Sequence, residues 1–137
     1  MRVTTKIKTK PRHKAITKQY EQQARQAVFL GCSKIQEIAV TEILRGAKSG
    51  LVYTRGSVTH KASAAGEYPA SDTGNLAANI NVQVAPNGLS GVVESKANYS
   101  SFLEFGTSKM AARPFLFPSA ERAKAFIRKK FRELSAR

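Results

Sequence analysis

Few residues in this chain have the types and spacing that chemistry needs. Asp72-Thr73-Gly74 is the tripeptide that aspartic proteases carry at their catalytic carboxylate; there an apolar strand delivers it, so that two carboxylates meet and share one proton. Here Pro69-Ala70-Ser71 precedes it and Asn75-Leu76-Ala77-Ala78-Asn79 follows, so the delivering strand is missing. The tripeptide reads instead as a turn, with Ser71 or Asp72 capping a short helix over 75–79. His13 and His60 stand at no ligand spacing with a carboxylate, and the nine acids form no evident pair for glycosidase or nuclease work. The stretch GLVYTRGSV from Gly50 lacks the Gly-Lys-Ser/Thr ending of a phosphate loop. Cys32 is the single cysteine; it can form neither an internal disulfide nor a cysteine metal cluster, and it reads as packing on a helix. The expectation is a protein without catalysis, cofactor or metal.

Contact chemistry is better represented. YSSFLEFGTSKMAARPFLFPS, residues 99–119, holds Tyr99, Phe102, Phe105, Phe115, Phe117, an Arg113-Pro114 pair and one carboxylate, Glu104. Aromatic groups bury area and a few charges set orientation, which is what a contact surface requires. Alternate aromatics are expected to face in and out, and a Glu104–Arg113 ion pair is expected to fix the loop between them or to bridge subunits.

Charge is the second signal. The formal net charge is +14. Residues 1–18 carry seven Lys/Arg and no acid, 19–120 nine against seven, and 121–137 seven against two, so a nearly neutral body has basic ends. Such ends suit an anionic partner, and the candidates for its contact are Lys6, Lys8, Lys10, Arg12, Lys14, Arg128, Lys129 and Arg132. Aromatic platforms for reading bases are missing from the basic segments, so any nucleic-acid contact would be unspecific.

The elements that must position these groups follow from periodicity. At 137 residues the chain fits one domain, and the expected division is a basic flexible arm over 1–17 and a single domain over 18–137. Residues 18–45 repeat apolar positions at three and four, through Ala24, Ala27, Val28, Gly31, Ile35, Ile38 and Ala39, and predict a long helix between Thr17 as cap and Gly46 as stop. Phe29, Val40, Ile43 and Leu44 make a second face partly apolar. Residues 46–79 are rich in small residues and predict a long excursion, with one short strand near 51–54, that becomes ordered against a partner. INVQVA, PNGLS and GVVES predict a β-hairpin turning at Asn87 and Gly88. Tyr99–Phe105 predicts a short helix or strand. Pro118 reads as a first-turn N1 proline, and Ala120, Ala123, Ile127, Phe131 and Leu134 form the stripe of a basic final helix. The fold class is α/β in the broad sense, α+β: a long N-terminal helix on a small antiparallel sheet, a long loop excursion and a basic C-terminal helix. No apolar run approaches the ~20 residues of a membrane helix, and the N-terminus lacks a secretory apolar stretch. The expected location is the cytoplasm.

HKASAAGEYPASDTGNLAANI followed by YSSFLEFGTSKMAARPFLFPS resembles the head-to-tail connector family of long-tailed bacteriophages, whose members are neck, minor tail or tail-completion proteins. The likeness covers roughly 18–120 and rests on Gly66-Glu67 with Pro69, Thr73-Gly74-x-Leu76, Tyr99, Glu104-Phe105-Gly106-Thr107 and Arg113-Pro114-Phe115-Leu116. Ser100, Ser101 and Ala111 stand where the family often has proline. The resemblance implies a non-catalytic virion protein, assembled in the host cytoplasm into a ring at the head–tail junction, hexameric by first choice and dodecameric by second. Its implied partners are itself, a tail-tube or tail-terminator protein and the head-closure connector, with unspecific contact to packaged DNA and none to membrane. The implied interface comprises Tyr99, Phe102, Glu104, Phe105, Gly106, Thr107, Lys109, Met110, Arg113, Pro114 and Phe115, with Glu67, Pro69, Thr73 and Gly74. The alternative reading is a small basic nucleic-acid-binding protein.

Overall fold

A computed structural model describes residues 3–8 and 18–135. The long apolar repeat folds as α1 (Lys18–Arg45), a helix of about 42 Å at 1.5 Å per residue. Its buried face comprises Ala27, Val28, Gly31, Cys32, Ile35, Ala39 and Ile43. Ile43 therefore joins the main face, Val40 is half-buried, and Phe29 and Leu44 remain exposed. The helix stops at Arg45, where Gly46 N–H donates to Glu42 O at 3.0 Å. The proposed cap Thr17 lies outside the described residues, as do Lys10, Arg12 and Lys14.

The predicted hairpin is present as β4 (Ile80–Val84) and β5 (Ser90–Ser95), antiparallel with Val82 opposite Val93. Its turn closes with Gly88 N–H donating to Ala85 O at 2.8 Å and Leu89 N–H to the Asn87 side chain at 3.0 Å. On the other side of β5 lies a strand that periodicity did not reveal, β1 (Val3–Lys8), giving the order β1-β5-β4. The first segment is thus no free arm over 3–8. Thr and Ile alternate with Lys there, and Ile7 packs against the core while Lys6 and Lys8 stay exposed; four lysine and threonine positions masked a period of two.

α1 lies across this sheet, and α4 (Leu116–Ser135) packs beside α1 and against β1. Close approach of α1 to the sheet depends on Gly91: a Cβ there would stand 2.5 Å from Cys32 Sγ. The core joins Val28, Cys32, Ile35, Ala39, Ile43, Ile80, Val93, Phe115, Leu116 and Ala123, with Ile127 and Phe131 packed against it. Burial pushes the Cys32 thiol up to about 11, so it stays protonated at neutral pH.

The excursion is more structured than its composition suggested. β2 (Val52–Arg55) and β3 (Val58–Lys61) form a second, two-stranded sheet, and α2 (Asn75–Ala78) follows. Segment 62–74 is laid on the chain's own body: Gly66 N–H donates to Ala112 O at 2.9 Å, and Ser63 and Pro69 are buried. Only the hairpin stands out, with Leu51, Val52, Tyr53 and Val58 all exposed. Among the described residues no helix is long and apolar enough to cross a membrane.

Candidate functional site

α3 (Ser100–Phe105) decides how the aromatic stretch is divided. Glu104 points inward, 6% exposed, and its carboxylate takes the start of α4. Phe115 N–H donates to Oε2 at 2.8 Å, Leu116 N–H to Oε2 at 3.0 Å and Phe117 N–H to Oε1 at 2.8 Å. A helix start leaves four N–H groups without intrahelical partners; the next residue, Pro118, has none to satisfy. The negative carboxylate also suits the positive end of the helix dipole. Pro118 is consequently the third residue of α4, not the first, because Glu104 extends the helix back to Leu116.

The expected Glu104–Arg113 pair does not form. Arg113 Nε donates to Ser63 O and Nη1 to Ala111 O, both at 3.3 Å, while its backbone N–H donates to Leu103 O at 2.6 Å. Carbonyls, more than carboxylates, are its partners, and it staples the 106–114 loop to α3 and to the excursion. The loop turns at Gly106, φ 75°, where a Cβ would meet Ala112 N at 2.8 Å. Thr107 N–H donates to Met110 O at 2.8 Å and Lys109 N–H to Thr107 Oγ1 at 3.2 Å.

With Glu104 inward, Phe102 and Phe105, three apart on one helix, turn out, 47% and 75% exposed; Phe117 is 66% and Tyr99 39% exposed. Phe115 is wholly buried. Of the residues assigned to an interface from sequence, Phe115, Glu104 and Pro69 are buried in the chain's own interior, Glu104 and Phe115 at the start of α4 and Pro69 in segment 62–74. Tyr99, Phe102, Phe105, Thr107, Lys109 and Thr73 are exposed.

A groove of about 480 Å³ adjoins this surface, lined by Tyr53, Pro69, Leu76, Tyr99, Met110 and Arg113 among others. Asn75 Nδ2–H donates to the Tyr99 hydroxyl oxygen at 3.1 Å. Asp72 lies on its rim and caps no helix: α2 begins after Gly74, φ 80°, without a side-chain cap. Asp72 instead binds the hairpin, accepting from the Arg55 guanidinium and lying 3.2 Å from His60 Nε2, whose ring stacks on Tyr53 at 5.5 Å. These partners lie 17 and 12 residues from Asp72, and no local pattern pointed to them. Glu67 closes the excursion's base, accepting from Ser49 Oγ, from Ser49 N–H at 3.0 Å and from Ala64 N–H at 2.8 Å. The Ser49 hydroxyl foremost, then the Ala64 and Ser49 amides, hold its pKa down to about 2. Among the described residues no group of three or more His, Cys, Asp or Glu is placed to hold a metal ion.

Comparison with known proteins gives the family. The model of the HK97-gp10-like family, described as "Bacteriophage HK97-gp10, putative tail-component", matches residues 5–106. The match takes in β1 from Thr5 and ends at Gly106, so Arg113-Pro114-Phe115-Leu116 and α4 fall outside it. The chain belongs to this family, and its role is that of a structural component related to the phage tail. No curated protein and no solved structure matches it significantly.

Proposed function

We propose that this tail component forms a ring at the head–tail junction, as a neck or tail-completion protein, and joins the tail tube to the connector of the capsid. The observation that carries the reading is the exposure of Phe102, Phe105 and Phe117 around a buried, fully bonded Glu104. Side chains of this kind are costly to leave in water and are typical anchors of protein interfaces. A ring closes through a heterologous contact, in which two different surfaces of each copy meet. The exposed hairpin, with Val52 and Val58, supplies a second apolar surface distinct from the first. A hexamer is the proposed stoichiometry, with the tail-tube or tail-terminator ring and the head-closure connector as neighbours. The proposed interface residues are Tyr99, Phe102, Phe105, Thr107, Lys109 and Met110.

The test is light scattering of the purified protein with and without tail tubes, followed by imaging of joined particles. The Phe102→Ser/Phe105→Ser variant should keep its fold and lose ring formation and joining. Normal joining by that variant, or a monomer that never associates with tail or connector, would overturn the proposal.

A further inference from the structure

The three-stranded sheet ends in two edges of unlike character. Ala85 N–H donates to Ser90 O and Lys96 N–H to Asn79 O, so Asn79, Asn81, Gln83 and Ala85 turn their backbone groups toward β5, and Ile80, Val82 and Val84 turn theirs outward. Gln36 Nε2, from α1, donates to Ile80 O at 2.8 Å and closes one end of this edge. The outward N–H and C=O groups of Val82 and Val84 meet no strand among the described residues. Sheet edges are ordinarily guarded by lysine, proline, a bulge or a covering element; β4 carries no charged residue and no proline. At the opposite edge, the same alternation through β5 turns the backbone groups of Thr4, Lys6 and Lys8 outward.

A bare edge is a site for strand addition, and copies of this chain could pair their edges in three ways. β1 against β1 would set Lys6 and Lys8 against the same lysines, a like-charge contact. β4 against β4 is two-fold and ends after one contact; β4 against β1 is heterologous, leaves one edge of each kind free, and therefore repeats. The faces match in this last pairing. Ile80 and Val82 of β4 and Ile7 of β1 pack toward the core, and Val84, 39% exposed, extends the same face, while Asn81, Gln83, Lys6 and Lys8 lie on the other. β1 and β4 both run antiparallel to β5, so joining them with their apolar faces on one side makes a parallel pair. Within one copy Lys6, Val92 and Gln83 form a row across the sheet, and Ile7, Gly91 and Val84 form the next. Continued into a second copy, these rows set Gln83 beside Lys6 and Val84 beside Ile7, and the outward groups of Val84 then meet those of Lys6 and Lys8, as a parallel ladder requires.

We propose that the free edge of β4 accepts β1 of a second copy as a parallel strand, so that one sheet runs from copy to copy. The pairing rests on the ring proposed above and adds a backbone contact to its aromatic one.

The experiment is disulfide trapping in the full chain, with Lys6→Cys/Gln83→Cys and, for a register shifted by two residues, Lys8→Cys/Gln83→Cys. Native Cys32 is buried and its thiol raised to about 11, so it does not compete. Within one copy Lys6 and Gln83 lie two strand spacings apart, about 10 Å, beyond the ~7 Å limit for a disulfide; adjacent strands of two copies bring them within it. Oxidation of the assembled protein should give a ladder of covalent oligomers in one of the two double variants, read by non-reducing denaturing electrophoresis, and none in the single variants. Gln83→Lys, which presents a lysine to the neighbour's Lys6 and Lys8, should leave thermal unfolding unchanged and weaken assembly by up to about fivefold per contact. Adding Lys6→Glu/Lys8→Glu to that variant should restore it. Rings that form without a ladder in either double variant would overturn the strand pairing and leave the ring itself standing. A dimer band from Gln83→Cys alone would assign the edge to a two-fold β4–β4 contact and also overturn the pairing. A chain that stays monomeric with and without tail tubes would overturn the ring and the pairing together.

Discussion

Val93, in the three-stranded sheet, is wholly buried, whereas Val52 and Val58, in the two-stranded one, stand 63% and 54% exposed. The same side chain meets opposite environments because α1 covers the first sheet and, among the described residues, no helix covers the second. A lone two-stranded hairpin is marginal in water. This one is tied near its turn, where Asp72 binds Arg55 and His60, and so keeps a shape without hiding its apolar residues. The closed sheet stabilises the fold; the open hairpin and the aromatics of α3 are the surfaces proposed for contact.

Removing the joint between the two regions should cost the most. Glu104→Ala leaves the buried N–H groups of Phe115 and Leu116 and the part-buried N–H of Phe117 without this acceptor, and helix caps and charged hydrogen bonds of this kind suggest a loss of about 3 kcal/mol or more. Denaturant unfolding should show it directly. A loss below about 1 kcal/mol would mean that water or the loop replaces the carboxylate, and that the outward phenylalanines do not depend on this mount.

The sequence made the closed region legible and the open region much less so. α1 and the β4–β5 hairpin follow from apolar repeats of 3.6 and 2 in local windows, and α4 shows the same stripe. β1 was obscured because its outward positions are lysines and its pairing with β5 spans most of the chain. The mount at Glu104 was misread for a related reason: Arg113 is the obvious charge partner in sequence, yet a helix start offers three converging N–H donors that no residue type announces. Asp72 and Glu67 likewise bind partners 12 to 18 residues away, where periodicity carries no information. Deleting the basic N-terminal segment to test its charge would remove an edge strand and Ile7 from the packing, so point substitutions at Lys6 and Lys8 are the sound alternative.

The base of the open region should respond to acid. Glu67 has a pKa depressed from the ordinary 4.5 to about 2, so its contribution is complete above the unfolded value and is lost as pH falls from about 4.5 through about 2. Between those limits the Ser49 and Ala64 amides should remain protected in hydrogen exchange while ordinary carboxylates already titrate. Below about 2 they should open first. Glu67→Gln should bring that opening to neutral pH, without altering protection of the α1 core. Unchanged protection of both amides in Glu67→Gln would show that the excursion is held by its other bonds to the body, among them those of Gly66, Tyr68 and Arg113.

The smallest effect is expected where the exposed apolar surface is largest. Val52→Thr/Val58→Thr should alter the stability of the isolated protein by no more than about 0.5 kcal/mol, the usual range for surface changes away from packing. Val93→Ala supplies the internal contrast: loss of two methyl groups from a wholly buried position, plus the cavity left behind, suggests about 2 kcal/mol. The hairpin variant should instead be impaired in assembly, because threonine keeps the β-branched shape that a strand favours while replacing a methyl with a hydroxyl that an apolar contact must desolvate. Thermal unfolding of the isolated chain and light scattering of the assembling protein therefore divide the two roles. If the double variant unfolds as easily as Val93→Ala, the hairpin belongs to the fold's own stability and the contrast between the sheets fails; if it neither destabilises nor impairs assembly, the exposed valines are incidental and the second surface of the proposed ring must be sought on α1, at Phe29 and Leu44.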